Sequence, residues 1–271
     1  MIKQAIIPLA GLGTRLLPLT SVLPKELLPI NGRPGLEYIL DECIESGIKE
    51  FIFVISKNKL SIKKYFYSDT FYNNLLKKGK LNQKLKSEYY KIKKLKKMIK
   101  FVYQNKPKGT GDAILKCKRL IKSKHFLMLL PDDLIIKSNC SKELIKIHKK
   151  NNACVIASKK VDKADVSRWG IFSIKKKKKR NFIIDDVIEK PSIKFAPSRY
   201  AVIGRYVLPK KIFSILEKQK VGKNSELHIT DAIRTLITQN NKFIGYEFTG
   251  KYLDCGTMKG YINSTLEISK L

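Results

Sequence analysis

Short apolar runs alternate with amphipathic segments through the first half of the chain, and this order constrains the fold more than any other feature. Residues 4–10 (QAIIPLA), 51–55 (FIFVI) and 99–104 (IKFVYQ) are typical of buried strands. Residues 35–47 (GLEYILDECIESG) and 110–121 (TGDAILKCKRLI) are typical of helices. Because strands that alternate with helices are joined by right-handed crossovers, the pattern predicts a mostly parallel sheet.

The first of these helices has its apolar residues on one face and a glycine at its end. That face comprises Leu36, Ile39, Leu40, Cys43 and Ile44. Gly47 is the residue type that commonly ends a helix. We therefore expect this helix to pack on the sheet through the apolar face.

Polar or glycine-bearing segments follow several of the predicted strands. The loop Leu9–Pro24 follows the first strand, Gln104 ends the third, and residues 126–133 (FLMLLPDD) predict a strand that ends in acid. In parallel sheets, ligands gather beyond the carboxyl ends of the strands. We therefore expect the loop, Gln104 and Asp132 to share one crevice.

The second half of the chain predicts further strands in a mixed sheet, with two more helices. The strand-like segments after residues 153–161 (ACVIASKKV) are residues 170–174, 182–191, 200–208, 243–248 and 251–257, and the helical ones are residues 209–216 and 230–238. No repeat and no flexible linker is visible, so the prediction is one α/β domain over residues 1–271. Residues 68–100 predict a lysine-rich helical insertion, either a surface excursion or a segment used for subunit contact.

The charge balance is strongly basic, with 56 Lys and Arg against 23 Asp and Glu, which gives +33. Such a charge can mark a protein that binds nucleic acid. The excess is mostly lysine, however, and its densest runs are predicted to be peripheral: residues 93–100 close a helix and residues 175–180 (KKKKKR) form a hairpin tip. Arginines interleaved with aromatic residues, which favour base readout and stacking, are missing. We expect an exposed basic surface and no nucleic-acid partner.

Cysteine and histidine usage predicts neither a disulfide framework nor a zinc site. The five cysteines are scattered and never spaced C-x-x-C, and the three histidines are isolated. No stretch has the length of a signal peptide's apolar region or of a membrane span. These features favour a cytoplasmic protein.

The loop after the first strand has the composition of a phosphate site but matches neither familiar phosphate-loop pattern. Leu16 stands where a dinucleotide fingerprint needs its third glycine, and no Gly-Lys-Ser/Thr follows. Gly11 and Gly13 allow close approach of the backbone, whose N–H groups can bind an anion. Arg15 adds a planar guanidinium group that can donate two hydrogen bonds to a phosphate, and Lys25 adds a compact ammonium charge. Two cations with such a loop suit a polyphosphate better than a single phosphate.

Three acidic residues are candidates for binding a metal ion or sugar hydroxyls. Asp132 ends a predicted strand and Asp254 ends another, and Mg²⁺ favours one or two carboxylates completed by substrate phosphates. Glu189 can accept hydrogen bonds from vicinal hydroxyls, and Lys190 can pair with a phosphate. A neighbouring Glu and Lys are more often a surface ion pair, so this motif has little weight alone.

Taken together, five motifs resemble those of the sugar-nucleotide pyrophosphorylases, and most closely the branch that uses UTP and glucose 1-phosphate. They are GLGTR (11–15), PKELLP (24–29), LPD (130–132), EKP (189–191) and DCGT (254–257), in the same order from about Lys3 to Glu267. The resemblance implies a Rossmann-like nucleotidyltransferase fold of the glycosyltransferase A-like type, with a mixed central sheet flanked by helices. It also implies a homodimer or homotetramer that makes UDP-glucose and pyrophosphate with Mg²⁺.

The resemblance implies a role for each matching residue. Arg15, Lys25 and Lys190 are the expected catalytic cations, and Asp132 and Asp254 the expected metal ligands. The expected nucleotide-binding residues are Ala10, Gly11, Gly13, Glu26, Gln104 and Gly109. The expected sugar-binding residues are Gly170, Glu189 and Lys190, the last on the phosphate of glucose 1-phosphate.

Three positions depart from the family pattern. Ser21 stands where a lysine is usual, Asp112 where a histidine is usual, and His228 where a glutamine is usual. Three other interpretations stay open. One is a thymidylyltransferase of the same superfamily, disfavoured by Glu26 and by the insertion before Gln104. The others are a basic nucleic-acid-binding protein and a related chain that has lost activity.

Overall fold

The computed structural model describes residues 1–220 and 226–271. The strands in these residues are β1 (Gln4–Pro8), β2 (Pro29–Ile30), β3 (Arg33–Pro34), β4 (Glu50–Ile55), β5 (Ile99–Tyr103), β6 (His125–Leu129), β7 (Asp133–Ile136), β8 (Cys154–Lys160), β9 (Gly170–Lys178), β10 (Asn181–Glu189), β11 (Tyr200–Pro209), β12 (Phe243–Glu247) and β13 (Lys251–Asp254). The helices are α1 (Gly35–Glu45), α2 (Leu60–Tyr67), α3 (Thr70–Lys77), α4 (Gln83–Met98), α5 (Thr110–Leu115), α6 (Cys140–Asn151), α7 (Ile212–Lys218), α8 (Ile229–Thr238) and α9 (Met258–Ile268).

Nine of these strands form one sheet in the order β5–β4–β1–β6–β11–β8–β12–β10–β9. The first four are parallel to one another, as the alternating pattern predicts. β11 runs antiparallel to both β6 and β8, and β9 and β10 form an antiparallel hairpin. The predicted mixed central sheet flanked by helices is confirmed.

Helices cover both faces of the sheet. Because successive residues of a strand point to opposite faces, each strand contributes side chains to two cores. In β4, Phe51 and Phe53 belong to a core shared with α1, α4, α6 and α9. Ile52 and Val54 belong to a second core shared with α5, α7 and α8. All four side chains are fully buried, which explains why β4 reads as a continuous apolar run.

Helix α1 packs as its apolar face predicts, with one exception. Leu36, Ile39, Leu40 and Cys43 are fully buried, whereas Ile44 is 37% exposed. Ile44 comes eight residues after Leu36, which places it about 80° further around the helix, at the edge of the buried arc. The prediction for Ile44 is therefore wrong.

The segment FLMLLPDD does not form the single strand that its sequence predicts. β6 ends at Leu129, and β7 begins at Asp133 and pairs with β13 instead. Pro131 between them has no N–H to donate to a strand ladder. Asp132 therefore lies in the connection between two strands, and this places it next to the end of β13.

The two lysine-rich segments lie where the sequence predicts. Residues 68–100 contain α3 and α4, and residues 175–180 form the end of the β9–β10 hairpin, where Lys178 pairs with Asn181. No helix of the described residues combines the length and the apolar character needed to cross a membrane.

Candidate active site

A cavity of about 670 Å³ opens at the carboxyl ends of β1, β5 and β6. Its wall contains all but one of the residues that the sequence analysis selected: Ala10, Gly11, Gly13, Arg15, Lys25, Gln104, Gly109, Asp132, Gly170, Glu189, Lys190 and Asp254. These residues come from distant parts of the chain, and the order of the strands brings them together. The glycine loop, Gln104 and Asp132 do share one crevice.

The glycine loop presents backbone N–H groups to this cavity. Leu9 still donates to Val54 O of the neighbouring strand at 2.7 Å. Among the described residues, no acceptor lies within hydrogen-bonding distance of the N–H groups of Ala10, Gly11 or Leu12. The loop is then fixed at Gly13, whose φ is 73° and whose carbonyl accepts a hydrogen bond from Thr20 Oγ1 at 2.8 Å. Free N–H groups of this kind can bind an anion, and this role of the loop stays a prediction.

Lys25 and Asp132 form the central ion pair of the cavity. Lys25 Nζ donates to Asp132 Oδ2 at 2.7 Å, and Arg15 Nη2 lies 3.7 Å from the same oxygen. Burial would lower the pKa of Lys25, but the carboxylates of Asp132 and Glu26 more than offset this and raise it above its ordinary value. Burial would raise the pKa of Asp132, and the charge of Lys25 instead holds it below its usual range. Both groups are therefore charged near neutral pH.

The carboxylates of Asp132 and Asp254 converge beside Gly256. A Cβ placed on Gly256 would lie 2.8 Å from Arg15 Nη2, 2.9 Å from Asp132 Oδ2 and 3.1 Å from Asp254 Oδ1. Cys255 N donates to Asp132 O at 2.8 Å and Gly256 N donates to Asp254 Oδ1 at 2.8 Å, so the end of β13 is tied to the LPD segment. Two neighbouring carboxylates are ligands that a divalent cation can share with phosphate oxygens, and the Arg15 guanidinium lies beside them here.

A buried network supports Asp132 from behind. Asp133 accepts hydrogen bonds from Gly204 N at 2.8 Å and from Tyr252 Oη at 2.7 Å. Burial and the neighbouring charge of Asp132 raise the pKa of Asp133 to about 6. The adjacent Arg205 is fully buried. The hydrogen bonds of Asp133 with Gly204 in β11 and with Tyr252 in β13 thus fix the position of the adjoining LPD segment.

The opposite wall carries the predicted sugar-binding residues. Gly170 and Glu189 pair across the β9–β10 hairpin, and a Cβ on Gly170 would lie 3.3 Å from Glu189 Oε2. Lys190 is exposed and has a φ of 44°, and its N–H donates to Trp169 O at 3.0 Å. Thr230 also lines this wall, and its buried Oγ1 has no hydrogen-bond partner among the described residues. A Cβ on Gly170 would also lie 3.4 Å from Thr230 Cγ2, so Thr230 adjoins the pair of Gly170 and Glu189.

Glu26 is the predicted nucleotide-binding residue that the structure does not place on the cavity wall. Its carboxylate is buried, and both of its oxygens accept hydrogen bonds from Lys59 Nζ at 2.8 Å. Burial opposes both charges, since it raises the pKa of Glu26 and lowers that of Lys59. The pair lies behind Lys25, whose charge Glu26 helps to stabilise.

The three departures from the family pattern have different surroundings. Ser21 is exposed and its hydroxyl donates to Pro18 O at 2.6 Å, within its own turn. His228 lines the cavity. Asp112 accepts a hydrogen bond from Gln104 Nε2 at 2.7 Å, so it contacts a predicted nucleotide-binding residue directly.

Sequence reasoning missed several residues of the site: Thr20, Lys59, Asp133, Arg168 and Thr230. Arg168 lines the cavity, and its Nη2 lies 3.5 Å from Asp254 Oδ2. The sequence does carry a signal for Asp133. Of two consecutive acidic residues that follow a buried strand, one is expected to be buried, and a buried carboxylate needs hydrogen-bond donors inside the protein. Thr20 and Lys59 offer no comparable signal, since their partners are set only by the folded loop.

Comparisons with known proteins show the family to which the chain belongs. Residues 4–270 match the family described as nucleotidyl transferase. A Streptococcus pyogenes serotype M3 protein named UTP–glucose-1-phosphate uridylyltransferase 2 is 39% identical over 274 residues, which cover 98% of this chain and 90% of the relative. The Bacillus subtilis UTP–glucose-1-phosphate uridylyltransferase is 36% identical, with 99% of this chain and 91% of the relative covered.

A similar fold is found among solved structures. The crystal structure of a UDP-glucose pyrophosphorylase complexed with UDP-glucose superimposes with a TM-score of 0.87 and 34% sequence identity. The match covers 100% of this chain and 99% of that one. The similarity therefore extends over the whole fold and is not limited to the motifs.

Proposed function

The chain belongs to the nucleotidyl transferase family, and from this premise we propose that it converts UTP and glucose 1-phosphate to UDP-glucose and pyrophosphate. Relatives with that activity in their names match nearly the whole chain. The observation that carries the proposal is the convergence of a glycine loop, two cations and two carboxylates on one cavity. Such a cavity suits a reaction between two phosphate-bearing substrates.

In the proposed reaction, a phosphate oxygen of glucose 1-phosphate attacks the α-phosphorus of UTP in line, and pyrophosphate leaves. The N–H groups of the glycine loop and Arg15 hold the β- and γ-phosphates. Lys25 meets the reacting phosphates, and Lys190 binds the phosphate of glucose 1-phosphate. Because both substrates are anionic, these cations first reduce their repulsion and then stabilise the transition state. No protein nucleophile is needed, because the attacking oxygen is already ionised near neutral pH.

The sugar hydroxyls are bound at the opposite wall in this proposal. Gly170 allows close approach of the sugar, and the Glu189 carboxylate accepts hydrogen bonds from vicinal hydroxyls. The uracil nucleotide is bound at the other end of the cavity, where it contacts Ala10, Gly11, Gln104 and Gly109. Glu26 contributes from behind, through its charge beside Lys25.

We propose Mg²⁺ as the metal and Asp132 and Asp254 as its ligands. Among the described residues there is no group of three or more His, Cys, Asp or Glu that could hold a metal ion without substrate. The two convergent carboxylates suit a cation whose other ligands are phosphate oxygens and water. Held there by Asp132 and Asp254, such an ion would neutralise charge on the substrate phosphates.

A pyrophosphate-release assay with glucose 1-phosphate tests the proposed function. UTP, dTTP and CTP are compared side by side with Mg²⁺, and we expect UTP to give the highest kcat/KM. A preference for dTTP would favour the thymidylyltransferase interpretation. Absence of turnover with any of the three would contradict the proposal, and a salt-dependent gel shift with DNA or RNA would then support the nucleic-acid-binding interpretation.

The metal site makes a separate prediction. Asp254→Asn keeps an oxygen for the hydrogen bond from Gly256 N but removes a charge, and we expect kcat/KM to fall by about 10²-fold at fixed Mg²⁺. The Mg²⁺ titration of UTP binding should shift to higher concentration. Asp165→Asn is the matched control, because Asp165 also lies beside Arg168 but does not line the cavity. An unchanged Mg²⁺ titration in Asp254→Asn would exclude Asp254 as a ligand.

Location and assembly belong to the same proposal. We propose one catalytic domain over residues 1–271 with residues 68–100 as an insertion, acting in the cytoplasm as a homodimer or homotetramer. The five cysteines are buried and free, which suits a reducing compartment. Ile262 and Leu266 of α9 are 50% and 55% exposed, which suits a contact between subunits.

A further inference from the structure

Gln104 lies at the end of the cavity remote from the predicted metal ligands. It follows β5, whereas Asp132 follows β6, and β4 and β1 lie between these two strands. Three strand spacings separate β5 from β6 by about 14 Å. A nucleotide whose phosphates lie near Lys25 and Asp132 therefore extends its base toward Gln104.

The side-chain amide of Gln104 is held in one orientation. Its Nε2 lies 2.7 Å from Asp112 Oδ2 and 3.1 Å from Gly109 O. A carboxylate and a backbone carbonyl are acceptors only, so both require the NH₂ group and exclude the flipped amide. Gln104 N also donates to Ile55 O at 2.9 Å, which fixes the backbone.

The amide oxygen is consequently left for a ligand. Gln104 is only 4% exposed and lines the cavity, and its Oε1 accepts no hydrogen bond from any residue that the structure describes. A buried acceptor of this kind favours a donor on the ligand and penalises a second acceptor. Uracil presents N3–H on its pairing edge, whereas cytosine presents the N3 lone pair.

We propose that Asp112 is a specificity-determining positioning residue that turns Gln104 Oε1 toward the cavity, where it accepts the N3–H of uracil. The inference rests on the proposed function and goes beyond it, because it assigns the choice of uracil over cytosine to a residue that does not touch the base. Without Asp112, only the 3.1 Å hydrogen bond to Gly109 O still opposes a flip of the amide. The flipped amide then loses one hydrogen bond instead of two, and it can donate to cytosine N3. The preference for UTP over CTP thus depends on an acceptor at position 112.

Two substitutions separate this role from a structural one. Asp112→Ala removes the acceptor, and the ratio of kcat/KM for UTP to that for CTP is expected to fall by about tenfold, mainly through KM. Asp112→Asn keeps an acceptor oxygen without the charge and should retain most of the preference. Lys116→Ala is the control for local charge, because Lys116 Nζ lies 3.7 Å from Asp112 Oδ1, and its ratio should equal that of the unmodified protein.

A double substitution tests whether Asp112 acts through Gln104. Gln104→Met removes the amide and should also lower the preference, and adding Asp112→Ala to it should change the ratio no further. Calorimetric Kd values for UTP and CTP provide a second readout that does not require turnover. Thermal unfolding of each variant shows whether it is folded.

The outcomes distinguish the inference from the proposed function. If the unmodified protein turns over UTP but Asp112→Ala keeps its UTP-to-CTP ratio, the inference is wrong and the function stands. It is also wrong if Asp112→Asn loses as much preference as Asp112→Ala, or if the two substitutions act additively. If the unmodified protein shows no turnover, the proposed function is wrong, and an unaltered Kd ratio in Asp112→Ala would reject the inference independently.

Discussion

We expect Lys25→Met to lower kcat by about 10²-fold or more while the protein remains folded. Lys25 Nζ lies 2.7 Å from Asp132 Oδ2, and its side chain is 15% exposed, so its charge acts in a site with little water. Methionine has a similar length but carries no charge, so the change removes the electrostatic contribution and keeps most of the packing. Steady-state kinetics with UTP and glucose 1-phosphate, with thermal unfolding as the folding check, measures the effect.

A second lysine in the same region provides the control for Lys25. Lys57 is exposed and makes no ion pair with a described residue, so Lys57→Met should keep wild-type kinetics. Near-normal kcat in Lys25→Met would remove this residue from the catalytic machinery. A loss equal in both variants would instead indicate a general effect of surface charge on these anionic substrates.

The largest expected effect on stability comes from Arg205→Met, which should lower the free energy of unfolding by about 3–5 kcal/mol. Arg205 has no exposed surface, and its Nη2 donates to Glu42 Oε2 at 2.9 Å. Its Nη1 donates to Leu130 O at 3.2 Å and to Gly204 O at 3.0 Å. Removing the guanidinium leaves the Glu42 carboxylate buried without its counter-charge. Urea unfolding measures the difference.

The Arg205 prediction has two controls. The double variant Arg205→Met with Glu42→Leu removes both charges and should be less destabilised than Arg205→Met alone, since no unpaired carboxylate is left. Arg199→Met removes an arginine that is 45% exposed and pairs with exposed Asp162, and it should cost about 1 kcal/mol or less. A double variant less stable than Arg205→Met would contradict the unpaired-charge explanation.

The pairings of charged residues show where reasoning from sequence ends. Nothing in the sequence links Glu42 with Arg205 or Glu26 with Lys59, because each pair joins residues that are far apart in the chain. Glu42 even falls on the polar side of an amphipathic helix, where an exposed position is the natural expectation. It is buried because α1 packs beside α6, where Ser141 N donates to Glu42 Oε1 at 2.9 Å.

The sequence alone determined the alternation of strands and helices in the first half of the chain and the chemical types of the residues that follow the strands. Apolar periodicity and glycine placement are local properties, so a local pattern is sufficient to predict them. The motifs proposed to bind phosphate, sugar and metal could be recognised for the same reason.

Only the tertiary structure decided which side chains share a charge or a hydrogen bond. It placed Glu26 behind the cavity instead of in its wall, and it moved Asp132 from a strand end into a turn beside β13. It also showed that Gln104 donates a hydrogen bond to Asp112, a residue that departs from the family pattern. This contact is the basis of the hypothesis that Asp112 influences the choice between uracil and cytosine. The physical reason is that burial and pairing energies depend on neighbours supplied by distant segments, and these neighbours exist only after the sheet has formed.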